Sequence, residues 1–121
     1  NDYEGQMLQD RTGCNLESLA SKAKALIITL GAPGSIIYAD RKTFQIPCVT
    51  PTEIIDPTGC GDAYRAGLLY GIVHCMDWNT VGQLGSLMGS LKISRRGGQN
   101  HQFSRDEIDQ YYFEKFGHRI F

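Results

Sequence analysis

The stretch at residues 54–67, Ile-Ile-Asp-Pro-Thr-Gly-Cys-Gly-Asp-Ala-Tyr-Arg-Ala-Gly, constrains this chain more than any other. It reads as an extended apolar lead-in, a turn, two glycines around one small residue, and an acid opening a helix. Glycine tolerates backbone angles closed to other residues, so Gly59 and Gly61 can turn successive N–H groups toward one point. A helix expected to begin near Asp62 or Ala63 adds the positive end of its dipole. Together these make an anion hole, and phosphate is the usual anion. An acid at the same place opposes a bound phosphate. Asp62 makes sense there if it takes the proton of a hydroxyl that attacks the phosphate. The plainer explanation is a helix cap, for which aspartate is well suited.

The flanking sequence supplies strands and helices. Residues 1–12 are expected to leave a strand end and enter a short helix stopped at Gly13. Asn15 is suited to cap a second short helix through Ala23, with Glu17 in its first turn. Residues 25–30, Ala-Leu-Ile-Ile-Thr-Leu, are continuously apolar and rich in β-branched side chains. They read as a strand buried on both faces, as in a parallel sheet. Gly31-Ala32-Pro33-Gly34 then turns the chain. Residues 35–39 return as a strand, Asp40-Arg41-Lys42 is a polar turn, and residues 43–47 alternate like a third strand.

Residues 63–74 read as a largely apolar helix. Gly67 and Gly71 are four apart and share a face. Glycine inside a helix costs roughly 1 kcal/mol against alanine, so close approach of another backbone is the expected reason for both. Asp77 or Asn79 caps the next helix, which runs to about Ser94. Its Gly82, Gly85, Ser86, Gly89 and Ser90 form a second low-relief surface. Two such helices can pack tightly or leave a groove for a flat ligand such as adenine. Ser104-Arg105-Asp106-Glu107 is a capping box that opens a last helix ending at Gly117. Tyr111, Tyr112, Phe113 and Phe116 are expected to pack that helix down, and Trp78 to anchor the one before it. The order of elements fits one layered α/β unit.

A chain of 121 residues can bury one core but not two. It starts inside a motif and without Met, so it reads as part of a longer protein. The net charge is -1, with acids and bases interspersed. That argues against a nucleic-acid surface, and Arg95-Arg96 is too short to change this. No apolar run approaches membrane-spanning length and no signal-peptide pattern opens the chain, so no membrane partner is expected. Cys14, Cys48, Cys60 and Cys75 are irregularly spaced, which points to reduced thiols and a cytoplasmic setting. Cys60 alone falls at an expected helix N-terminus, where thiols become more acidic. It is read as the small residue that fits between two glycines. His74, His101 and His118 are scattered without metal or triad spacing.

Asp56-Pro57-Thr58-Gly59-Cys60-Gly61-Asp62-Ala63-Tyr64, followed by Ala66-Gly67, resembles the C-terminal signature of the PfkB (ribokinase-like) carbohydrate and nucleoside kinases. Asn1-Asp2-Tyr3-Glu4 resembles the family's Asn-x-x-Glu motif, and Thr29-Leu30-Gly31-Ala32-Pro33-Gly34 its Thr-x-Gly-x-x-Gly nucleotide turn. The three fall in the family's order. Family members are roughly two or three times this length, a size usual for one large α/β domain. The resemblance therefore implies that residues 1–121 are the C-terminal nucleotide-binding and catalytic portion of a single kinase domain, within a ribokinase-like three-layer α/β/α fold. The N-terminal part and lid lie outside it.

The resemblance implies an ATP-dependent kinase acting on a nucleoside or sugar hydroxyl, adenosine-kinase-like rather than ribokinase-like from the wording of the signature. Asp62 matches the catalytic base, with the N–H groups of Gly59, Cys60 and Gly61 holding the γ-phosphate. Asn1 and Glu4 match positions that organise Mg²⁺ and phosphate, partly through water. Thr29, Gly31 and Gly34 match the ATP turn, and ATP is expected between that turn and the two smooth helices. Ser86 stands where the family often has a nucleotide-facing Asn. Asp56, Thr58, Arg95 and Gly97 match positions that many members use around a monovalent cation, which makes K⁺ activation a hypothesis. The resemblance leaves a homodimer open. The chain alone, without its acceptor site, is expected to be inactive.

Two other classes fit these residues less well. A dinucleotide-binding module needs a third glycine that Gly59-Cys60-Gly61-Asp62-Ala63-Tyr64 lacks, and an acid ending the next strand, whereas Asp77 precedes a helix. A non-catalytic relative could have lost Asp62, which this chain retains.

Overall fold

The computed structural model describes residues 1–51, 53–56, 58–94 and 103–120. They form two compact units, Asn1–Cys48 and Val49–Phe121.

The first unit opens with helix α1 (Asp2–Thr12). Asn1 accepts from the Glu4 N–H at 2.9 Å while the Glu4 carboxylate reaches back to the Asn1 backbone, a reciprocal capping box. Gly13 ends the helix in a left-handed conformation, as its sequence position predicts. Helix α2 (Leu16–Ser21) is capped by Asn15, which accepts from Ser18 N at 2.8 Å. It stops short of the expected Ala23. Lys22 N and Ala23 N bond three residues back, to Leu19 O and Ala20 O, tightening and closing the last turn.

Strands β1 (Ala25–Thr29), β2 (Ser35–Ala39) and β3 (Lys42–Ile46) form one sheet in that order, antiparallel throughout. Ala25 faces Ala39 and Thr29 faces Ser35 across the first pair. The apolar run at 25–30 suggested a two-sided strand of the parallel kind. In the described residues its partner is antiparallel, because a turn of five residues joins only antiparallel neighbours. Most of β1 is half-buried, with Ile28 alone fully inside. Strand β2 alternates, burying Ser35, Ile37 and Ala39. Asp40 and Arg41 link β2 to β3 with φ of 53° and 61°, the pair of positive angles that suits a two-residue hairpin.

The second unit holds helices α3 (Cys60–Val73), α4 (Trp78–Ile93) and α5 (Arg105–Phe116). Helices α3 and α4 pack directly on each other. A Cβ on Gly67 would lie 2.8 Å from Leu84 O, and one on Gly71 would lie 2.9 Å from Val81 Cγ2. Of the two arrangements open to smooth helices, this pair adopts tight packing at those positions. Val49, Leu84, Leu87 and Tyr112 form the core, with Tyr111 and Phe116 against it. Phe113 does not join them. It stays exposed, with the Arg119 guanidinium 4.8 Å from its ring centre. Buried Asp109 accepts from Arg119 Nη1 at 2.8 Å and Ile120 N at 3.0 Å, tying the segment after Gly117 back onto α5.

Asp77 caps α4, accepting from Thr80 N and Thr80 Oγ1, each at 2.9 Å. These bonds, the backbone one foremost, hold its carboxyl below the ordinary value. The native helix therefore prefers the carboxylate. The cap contributes fully above about pH 4, the usual unfolded value, and is lost as pH falls through the lower native one. Asp77→Ala should cost about 1 kcal/mol at pH 7. Urea unfolding at pH 7 and at pH 2 checks this: the gap between variant and wild type should shrink at the lower pH.

Candidate active site

The lead-in to α3 is fastened to the end of α4. Ile55 N and Asp56 N both donate to Ile93 O, at 3.0 and 3.1 Å. The last carbonyls of a helix have no donors within it, so this satisfies one of them. Asp56 Oδ1 then accepts from Thr58 N at 2.9 Å, the local side-chain bond by which aspartate favours a turn. Gly59 follows with φ 77° and ψ 6°, a left-handed conformation that favours glycine. Its carbonyl accepts from Ala63 N at 3.0 Å, the first bond of α3.

Helix α3 thus starts at Cys60, ahead of the expected Asp62 or Ala63. Gly59 is its N-cap, and Cys60, Gly61 and Asp62 fill the first three helical positions. The N–H groups at those positions have no acceptor within the helix. Gly59 offers no side chain to cap them. Among the described residues, a Cβ on Gly61 would meet nothing within 4 Å.

Asp62 is not the cap. Its side chain is 83% exposed and pairs with Arg65, whose Nη1 donates to Oδ1 at 2.7 Å. An exposed pair of this kind contributes about 0–1 kcal/mol, so it orients the carboxylate without locking it. The site therefore places three N–H groups without a side-chain cap and one accessible carboxylate on a single helical turn.

The other candidates are distributed as follows. Asp56, Thr58, Gly59, Cys60, Gly61 and Asp62 lie together as one loop and helix start. Ser86 is half-buried on α4. Asn1, Glu4, Thr29, Gly31 and Gly34 belong to the first unit, where Asn1 and Glu4 cap α1. Gly34 N donates to Gly31 O at 2.9 Å and Leu30 N to Gly34 O at 2.8 Å, which holds the turn after β1. A Cβ on Gly34 would collide with Ile46 O, so this turn admits only glycine there. Arg95, Gly97 and His101 lie outside the described residues. Among those described, no three His, Cys, Asp or Glu side chains gather as a metal cage. No described helix is long and apolar enough to cross a membrane.

Three features escape the sequence reading. Arg65 pairs with Asp62. Lys92 is buried, with a signal in its spacing: Gly85, Gly89 and Lys92 recur at helical intervals on one face of α4. The Cys14 thiol is held below the ordinary value, chiefly by hydrogen bonding with Thr12 and Ser18; Lys22 Nζ lies 3.8 Å from its sulfur.

The described residues thus form a mixed α/β chain with a glycine-capped helix start beside an exposed carboxylate. The chain belongs to the pfkB family of carbohydrate kinases, whose sequence profile matches residues 8–104. It is 32% identical over 108 residues to the nucleoside kinase of Methanocaldococcus jannaschii, covering 89% of this chain and 36% of that relative. It superposes on Burkholderia thailandensis nucleoside kinase in complex with inosine with a TM-score of 0.94 at 50% identity, over 99% of this chain and 40% of that one. The ADP-inosine complex of the same enzyme gives 0.92 at 50% identity, over 98% and 37%. The mixed α/β fold is thus shared with nucleoside kinases, and this chain spans well under half the length of each.

Proposed function

We propose that this chain is the C-terminal, nucleotide-binding and catalytic portion of a kinase that moves the γ-phosphoryl group of ATP to a hydroxyl of a nucleoside. The observation that carries this reading is the first turn of α3, where Gly59 leaves three N–H groups uncapped beside the exposed Asp62 carboxylate. Asp62 takes the proton of the acceptor hydroxyl as its oxygen forms a bond to the γ-phosphorus. The bond from that phosphorus to the β–γ bridging oxygen breaks, and ADP leaves with the electron pair. The N–H groups of Cys60 and Gly61, with the start of α3, stabilise the charge on the γ-phosphoryl oxygens during transfer. Gly59 sets their direction.

Thr29, Gly31, Gly34 and Ser86 are assigned to the nucleotide, and Asn1 to its phosphates. Mg²⁺ fits this chain as an ion that ATP brings, since no protein cage is formed among the described residues and Mg²⁺ commonly keeps waters and few protein ligands. Glu4, an exposed carboxylate, would meet it through water, and the ion would neutralise phosphate charge. None of the four cysteines forms a disulfide among the described residues, which supports a cytoplasmic setting.

The nucleoside acceptor is favoured over a sugar by the likeness to the inosine-bound kinase at 50% identity. It broadens the adenosine preference read from the signature to purine nucleosides. The test is ADP release by the full-length protein with inosine, adenosine, ribose and fructose. Inosine- and adenosine-dependent release is expected. Release with a sugar alone keeps the chemistry and overturns the acceptor. No release with any acceptor, despite ATP binding, overturns the kinase.

A further inference from the structure

We infer that Arg65 is a positioning residue for the proton transfer: its guanidinium fixes one oxygen of the Asp62 carboxylate and so presents the other to the acceptor hydroxyl. This rests on the kinase reading above. A carboxylate has two accepting oxygens, and only one has to take the proton. On Asp62 the two differ. Oδ1 accepts from Arg65 Nη1 at 2.7 Å, at the short end of the range for a charge-assisted bond. Among the described residues no hydrogen bond reaches Oδ2. The Asp62 side chain is 83% exposed, so packing does not hold it. An aspartate in that setting turns among its staggered rotamers unless a partner selects one. Arg65 is that partner.

The pair is built into α3 itself. Residues three apart stand on one face of a helix, so no other element is needed to bring Arg65 to Asp62. An exposed ion pair contributes little to the stability of a fold. What this one changes is where the carboxylate stands. A reacting group held in place before its partner arrives reacts faster, and a displacement of about 1 Å can cost on the order of 10²-fold in rate. Arginine suits the task. Its guanidinium presents N–H donors in a fixed plane and stays charged when Asp62 gains the proton, so the partner does not change state during the step.

The test is a double-mutant cycle in the full-length protein with ATP and inosine, comparing wild type, Arg65→Gln, Asp62→Asn and the two together, with Arg65→Lys alongside. Arg65→Gln is expected to lower kcat about 10-fold, part of the cost of a misplaced reacting group, with the inosine KM changed less than about twofold. Arg65→Lys, which keeps the charge, should recover most of that loss. In the Asp62→Asn background Arg65→Gln should change kcat less than about twofold, because a residue that acts through another has nothing left to act on. Near-normal kcat in Arg65→Gln overturns the proposal. Equal losses in the two backgrounds also overturn it, since Arg65 then acts independently of Asp62. A raised KM with unchanged kcat makes Arg65 a binding residue and overturns it as well. If Arg65→Gln fails to fold and Arg65→Lys folds but turns over no better, the pair serves the fold alone and the proposal falls. A wild type silent with every acceptor overturns the kinase reading, and full turnover in Asp62→Asn overturns the role of the base; either result takes this inference with it.

Discussion

Asp62→Asn in the full-length protein should lower kcat about 10³-fold, within the span of a lost general base, while ATP affinity stays near wild type. Asparagine keeps the size of the side chain and can still accept from Arg65, whose Nη1 now lies 2.7 Å from Oδ1. What it cannot do is take the acceptor's proton. The cap of α3 is Gly59, so the helix does not depend on the Asp62 carboxylate. Steady-state kinetics with ATP and inosine, together with ATP titration of both proteins, check this. Turnover within about tenfold of wild type would remove Asp62 from proton transfer, since a positioned base supplies at least about 10². A loss shared equally by ATP binding and turnover would make it a binding residue.

Gly67→Ala should destabilise the protein by about 1–3 kcal/mol, the scale of overpacking a tight core. Two effects of opposite sign meet at this position. Alanine inside a helix is favoured over glycine by roughly 1 kcal/mol. Against that, the new Cβ would lie 2.8 Å from Leu84 O, 2.9 Å from Gly85 Cα and 3.0 Å from Gly85 N. All three are backbone atoms of α4, which cannot rotate aside as a side chain can. Relief requires the helices to separate, which loosens the packing between Leu68 and Gly85 as well. The clash should win, and thermal unfolding should show a lower Tm. Gly61→Ala serves as the contrast, because among the described residues its Cβ would meet nothing within 4 Å, and its Tm should hold. An unchanged Tm for Gly67→Ala would mean that α3 and α4 do not pack as closely as described.

The ends of most helices were legible in the residues. Gly13, Asn15, Asp77, the Ser104–Glu107 box and Gly117 all act where the sequence places them. A cap acts through one side chain or one dihedral angle on N–H and C=O groups within about four residues, so neighbours in sequence suffice to specify it. The turn at 31–34 and the hairpin at Asp40-Arg41 belong to the same local chemistry. The glycine loop and Asp62 could be singled out because residue types at fixed short spacing carry their meaning with them.

Tertiary structure decided the rest. Helix α3 gains its first turn early because the lead-in is bonded to Ile93 at the far end of α4, which delivers Gly59 already turned. The apolar character of β1 was plain, but its antiparallel pairing and half-buried state depend on where β2 returns. The stripe of glycines and serines on α4 allowed either a groove or close packing, and only the position of α3 resolved it. Lys92 looks like a surface residue until the helix that buries it is in place. Sequence fixes what each residue can do with its near neighbours; which distant atoms it meets depends on packing in three dimensions, where burial and charge are settled.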